Sequence, residues 1–207
     1  MELILLHGFD ATPADLSDVA ESLRSTLTGW AVRTIAGPVS TEGGRHAWWS
    51  EGDAAYRDVG HALAWISDRI GTDPVVIAGF SQGGALALAC GFGATPPERV
   101  GGSASGATGS SVPSRSSGSG GPIAANIRGI ACIGGFVPDD LVIGPSDISL
   151  FVGHGVEDDV VDVFHAESLG RLATRHAIAN EVTLHGGGHA WPESITDSLA
   201  SWLRRLP

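Results

Sequence analysis

The residues best placed to do chemistry are Gly79-Phe80-Ser81-Gln82-Gly83, a G-x-S-x-G element that follows the apolar run Val75 to Ala78 and precedes the helix-prone Ala85 to Ala89. A strand that turns straight into a helix at a serine exposes the hydroxyl on a tight bend, where side chains at positions 79 and 83 would collide with neighbouring backbone. Ser81 is therefore the candidate nucleophile. In a chain with 30 glycines the pattern by itself could be an ordinary turn, and the flanking strand and helix set it apart. A serine hydroxyl needs a base to take its proton and a carboxylate to hold that base in one tautomer. Of eight histidines, His189 stands in the glycine-rich stretch His185-Gly186-Gly187-Gly188-His189 after the last apolar run, downstream of every candidate acid. That order, serine then acid then histidine, is the one a strand–serine–helix element of this kind uses. His185 and His189 are also four apart, but three intervening glycines argue against a helix presenting both to a metal. No metal site and no cofactor is expected. For the acid, Glu157, Asp158, Asp159 and Asp162 all follow the run Ile148 to Gly153. Spacing does not choose among them.

Attack on a carbonyl leaves charge on its oxygen, so backbone N–H donors must already face that point. One is the residue after the nucleophile, Gln82, whose amide opens a helix where the macrodipole also favours an anion. The second is expected from the loop after the first strand, Leu5-Leu6-His7-Gly8-Phe9-Asp10, with the Phe9 N–H as candidate. Trp48 and Trp49, in a glycine-bounded loop, and Trp191, two residues past His189, are candidates for a substrate pocket, although indoles there can equally close the core.

The elements that must hold these residues are readable from periodicity. Short apolar runs at Glu2 to Leu6, Trp30 to Ile35, Pro74 to Gly79, Arg128 to Gly134, Ile148 to Gly153 and Glu181 to His185 predict six strands, several buried on both faces. Between the first two, Thr12-Pro13-Ala14-Asp15 offers an N-cap, an N1 proline and a capping-box acid ahead of helical spacing at Leu16, Val19, Ala20, Leu23 and Leu27. Further helices fit Ala55 to Ile70, Gln82 to Phe92, Asp162 to His176 and Pro192 to Leu206. Strands alternating with helices indicate an α/β fold with a parallel sheet. Gly101 to Gly121 breaks the rhythm: fifteen of its twenty-one residues are Gly or Ser. Such a stretch cannot offset its ordering entropy by burial and reads as a flexible surface insertion in a single domain spanning 1–207.

Composition narrows the function. The net charge is -11, from 12 basic and 23 acidic residues. All the basic residues are Arg, with no cationic stripe to follow a nucleic acid backbone. Cys90 and Cys132 lie inside apolar runs and read as buried thiols rather than a disulfide framework. No apolar run approaches the ~18 residues of a membrane span. The apolar stretch Leu3 to Leu6 is too short for a secretory signal, so a cytoplasmic protein is expected.

Four motifs, Leu6-His7-Gly8-Phe9, Gly79-Phe80-Ser81-Gln82-Gly83-Gly84, His154-Gly155-x-x-Asp158-x-Val160-Val161 and Gly188-His189, span most of the chain. Through them it resembles the phospholipase/carboxylesterase family of α/β-hydrolases, which includes bacterial carboxylesterases and acyl-protein thioesterases. The resemblance implies an α/β-hydrolase fold with a mostly parallel sheet and helices on both faces; the chain departs from the family by beginning at the oxyanion strand, so a sheet of about six strands truncated at its N-terminal edge is expected. It also implies Asp158 as the acid, Val160 and Val161 at the start of the next helix, and an aromatic of the Trp48–Trp49 loop beside the acyl site. Phe9 departs from the leucine usual in the family, and the Gly101 to Gly121 insertion is not a family feature. The implied function is hydrolysis of small or short-chain carboxylic esters through an acyl-enzyme, with a small-molecule ester as partner and a homodimer as an allowed assembly. Thioesterase, lysophospholipase or peptidase activity would use the same residues. A catalytically silent binding module is the reading from another class, and dienelactone hydrolases, similar in size, typically carry cysteine at the Ser81 position.

Overall fold

Runs that are apolar on both faces must be covered on both faces, and here helices long enough to cross over supply the cover. The computed structural model describes residues 1–50, 55–93, 123–138, 141–144 and 146–207. In chain order it contains β1 (Glu2–Leu6), α1 (Ser17–Thr26), β2 (Ala31–Ile35), β3 (Val39–Ser40), β4 (His46–Ala47), α2 (Ala55–Ser67), β5 (Val75–Phe80) and α3 (Gln82–Phe92). These are followed by β6 (Ile127–Ile133), β7 (Ser149–Gly155), α4 (Phe164–Arg175), β8 (Asn180–His185) and α5 (Glu193–Leu203). The expected insertion at 101–121 lies outside the described residues. Among those residues no helix is long and apolar enough to cross a membrane.

Six strands form one parallel sheet in the order β2-β1-β5-β6-β7-β8. The chain starts inside the sheet, steps outward to β2, then returns past β1 to β5 and continues to the opposite edge. The strand order reverses between β1 and β5, and parallel α/β sheets bind ligands outside the carboxyl ends of their strands at such a point. Alternate residues of each strand enter two cores. Ile4, Leu6, Ile77, Ile130 and Val152 pack with α2, α3 and α4. Leu3, Leu5, Val76, Ala78, Ala131 and Phe151 pack with α1 and α5. Every residue of α3 is buried, so this helix is apolar all round rather than striped.

Two expectations are refined. The first helix opens with a 3-10 turn at Pro13–Leu16 before α1, because Thr12 accepts from the Asp15 N–H at 3.1 Å while both its own N–H and its hydroxyl donate to the Asp15 carboxylate at 2.7 Å. The segment between β2 and α2 is not simply a loop, since β3 and β4 pair antiparallel in it. Strands of two residues are too short to leave a period in the sequence.

The bend from β5 into α3 depends on absent side chains. A Cβ on Gly79 would lie 2.0 Å from the Gly83 carbonyl oxygen, and one on Gly83 would lie 2.4 Å from the Leu6 oxygen. Both obstacles are backbone and cannot rotate away. Gly79→Ala should therefore lower stability by about 3 kcal/mol or more, roughly 6–12 °C in Tm for a chain of this size. Thermal denaturation followed by circular dichroism measures it, and an unchanged Tm contradicts this packing.

Candidate active site

Ser81 sits in the bend between β5 and α3 with φ 54° and ψ -118°, a backbone conformation that L-residues rarely adopt and that costs on the order of 1–3 kcal/mol. It is held by its N–H donating to the Ile133 carbonyl at 2.9 Å and by its carbonyl accepting from Gly84 and Ala85 at 2.9 and 3.1 Å. Those bonds fix the bend while leaving the side chain out of the core. The Ser81 Cβ lies 3.5 Å from where a Cβ on Gly8 would stand, so the end of β1 borders the serine.

Asp158 follows β7 and has no exposed side-chain surface. Its Oδ2 accepts from His189 Nδ1 at 2.7 Å, and its Oδ1 accepts the backbone N–H groups of Val160 and Val161 at 2.9 and 2.8 Å. Val160 and Val161 thus form a turn around the carboxylate, and α4 starts later, at Phe164, correcting the expectation that they open the helix. Burial pushes the Asp158 carboxyl up. The bonds from Val161, His189 and Val160, with the nearby imidazole, outweigh it and hold the pKa below the ordinary carboxylate value. Asp159, the nearest competitor, is exposed. The His189 loop reaches the acid because it crosses the end of β7 at Gly155, where a Cβ would lie 2.2 Å from the Gly187 oxygen. Phe80 then meets the His189 ring at 4.8 Å between centroids, bringing serine and histidine to one corner.

On the other side of Ser81, one hydrogen-bonded network ties four segments together. The Gln82 side chain accepts from the Trp48 N–H at 2.9 Å and donates to the Trp49 carbonyl at 3.0 Å. Trp48 Nε1 donates to the His7 carbonyl at 2.8 Å, and the two rings stack at 5.0 Å. His7 Nε2 accepts the Gly37 N–H at 3.0 Å while Nδ1 donates to the Gly8 carbonyl at 2.7 Å. Burial lowers the His7 pKa, against the opposing effect of the Gly8 bond, so this ring works as a neutral bracket. Asp10, at φ 48°, is clamped by the Thr41 hydroxyl at 2.5 Å and by Arg45, whose Nε donates to its carbonyl. Phe9 and Gln82 therefore stand on elements braced to each other, with the Phe9 side chain 41% exposed. As the first residue of α3, Gln82 has a backbone N–H without an intrahelical acceptor.

No family model matches the chain, and no curated protein matches it in sequence. Solved structures do match in three dimensions. Esterase PE8 superposes with a TM-score of 0.72 at 18% identity, over 100% of this chain and 92% of its own. The Bacillus cereus carboxylesterase gives 0.71 at 16% identity, over 98% of this chain and 87% of its own. Arabidopsis thaliana SOBER1 gives 0.63 at 19% identity, over 99% and 98%. The chain has the α/β-hydrolase fold.

Within that α/β-hydrolase frame the three tryptophans divide. Trp48 has no exposed surface; its indole stacks on His7 and donates to the His7 carbonyl. Trp49 is 9% exposed and meets Phe136 edge-on at 6.3 Å. Trp191 packs against the core on the α1 and α5 side, and its buried Nε1 has no partner among the described residues. Phe136 and His165, whose Nδ1 accepts the Val137 N–H at 3.2 Å, are neighbours that the sequence did not single out. Both cysteines are buried thiols, Cys132 pushed up to about 12 by burial despite a bond from Gly135, and Cys90 raised by burial alone.

The lowered pKa of Asp158 has a consequence for stability. Its folded pKa lies below the unfolded value of about 3.9, so the ionised carboxylate stabilises the fold above that value, and this contribution disappears as the pH falls through the folded pKa. Between about pH 6 and about pH 3 the wild-type urea midpoint should fall further than that of Asp158→Asn. Equal losses in the two proteins contradict the assignment of an ionised, stabilising Asp158.

Proposed function

We propose that the protein hydrolyses carboxylic esters through an acyl-enzyme formed on Ser81, with His189 carrying the proton and Asp158 fixing His189. The observation that carries this reading is the 2.7 Å contact from His189 Nδ1 to Asp158, whose side chain is shielded from solvent, at the same sheet edge as the strained Ser81 bend. A carboxylate on Nδ1 leaves Nε2 as the basic nitrogen, which is the state a general base needs. Similarity in fold to an esterase and a carboxylesterase supports the reaction class.

The steps follow. Ser81 Oγ attacks the ester carbonyl carbon while its proton passes to His189 Nε2, and the carbonyl oxygen becomes an oxyanion facing the N–H groups of Phe9 and Gln82. Collapse breaks the bond to the alkoxy oxygen, which leaves with the proton from His189. Water then gives a proton to His189 and attacks the acyl-enzyme, and the second tetrahedral state releases the carboxylic acid and restores Ser81. Asp158 stays ionised and stabilises each imidazolium without taking its proton. Trp49 and Trp191 flank this route as candidate substrate contacts, and small acyl groups are the expected substrates.

A fluorophosphonate probe and a p-nitrophenyl ester series of increasing acyl length test the reading. Wild-type protein should label and turn over short esters. Ser81→Ala should lose both while keeping its Tm, since the change removes one hydroxyl and leaves the Cβ that packs at the bend. Asp158→Asn should lower kcat by about 10⁴-fold, and Asp159→Asn should change it little. Wild-type turnover in Ser81→Ala overturns the mechanism, and a crippled Asp159→Asn beside a normal Asp158→Asn moves the acid by one residue.

A further inference from the structure

Asp158 touches a second imidazole. His154, the fourth residue before it and on β7, is 1% exposed, and its Nε2 lies 2.8 Å from the Val161 carbonyl oxygen and 3.3 Å from Asp158 Oδ2. Both neighbours are acceptors, so Nε2 carries the proton. The other ring nitrogen, Nδ1, is buried with no hydrogen-bond partner among the described residues. A proton there would be a buried N–H without such an acceptor, at a desolvation cost. Geometry therefore favours the tautomer with the proton on Nε2.

We propose that His154 is a positioning residue for the acid: its Nε2–H spans the Val161 carbonyl and Asp158 Oδ2, closing the 158–161 turn and aiming Oδ2 at His189. Val160 and Val161 hold Oδ1, and the Asp158 N–H donates to the Gly155 carbonyl at 3.4 Å; a contact at Oδ2 itself limits the rotation of the carboxylate that those bonds leave open. His154 supplies that constraint from a strand, a rigid element, rather than from the loop. A neutral donor suits the role because a permanent positive charge on the same oxygen would compete with the imidazolium that forms at His189 during acylation. This inference rests on the serine-hydrolase reading for its effect on turnover, but the tautomer it requires does not.

The test uses the full chain with p-nitrophenyl acetate as probe. His154→Phe fills the same space without a donor, and His154→Gln restores an N–H near the Nε2 position. His154→Phe should lower kcat by about 10- to 100-fold with KM changed by less than about twofold, and His154→Gln should recover most of the loss. Equal activity of the Phe and Gln variants overturns the proposal, because packing alone would then account for the residue. Should either variant fail to fold, 15N-histidine NMR of the wild-type protein decides: the neutral His154 ring should carry its proton on Nε2. An Nδ1–H tautomer overturns it. Absence of esterase activity in a wild-type protein that shows the Nε2–H tautomer counts against the proposed reaction and not against the hydrogen bond.

Discussion

The bend at Ser81 is the constraint around which this end of the molecule is built. A non-glycine residue at φ 54° stays there only if its surroundings leave it nowhere else to go. Here the surroundings are three backbone hydrogen bonds and two positions where no side chain fits. The same requirement shapes α3, which must run fully buried away from the bend and so is assembled largely from Gly, Ala and Leu. It also shapes β1, whose last carbonyls approach Gly83 more closely than any Cβ would allow. Strain at the serine is thus maintained by packing distributed over the sheet and the helix beneath it.

Histidines on either side of the bend work in different ways. His7, kept neutral by burial, joins the end of β1 to Gly37 and supports the stacked Trp48, so that the elements carrying Phe9 and Gln82 cannot drift apart. His189 faces a carboxylate whose burial would favour a proton, but whose hydrogen bonds keep it ionised. Polar groups of this kind can be buried because each is satisfied by a donor or acceptor held at fixed geometry. The serine bend, the Asp158–His189 contact and the braced loop after β1 are all held by fixed hydrogen bonds.

Much of the frame was legible in the sequence, since strands buried on both faces leave continuous apolar runs and crossover helices leave a three-to-four residue period. Ser81 was legible because an elbow needs glycines at fixed offsets. The acid was harder. Four carboxylates follow β7 within six residues, and only the resemblance pointed to Asp158. The burial of Trp48 was not legible, because an indole in a loop at the ligand edge reads the same whether it lines a pocket or fills the core. The contacts of His7 and His154 were hidden for a related reason. Their partners include the Gly37 N–H and the Val161 carbonyl, backbone groups that carry no residue-type signal. The pair β3 and β4 was too short to leave a period at all.

The central claim is that a covalent acyl-serine lies on the reaction path at this bend. The most direct measurement is rapid acid quench of the protein with excess p-nitrophenyl acetate, followed by peptide mass spectrometry. The account predicts one acetyl group, on the peptide carrying Ser81, together with a burst of p-nitrophenol that matches the enzyme concentration when deacylation is slower than acylation. Turnover with no acetylated Ser81 peptide at any quench time, or with the acetyl group on another residue, contradicts it.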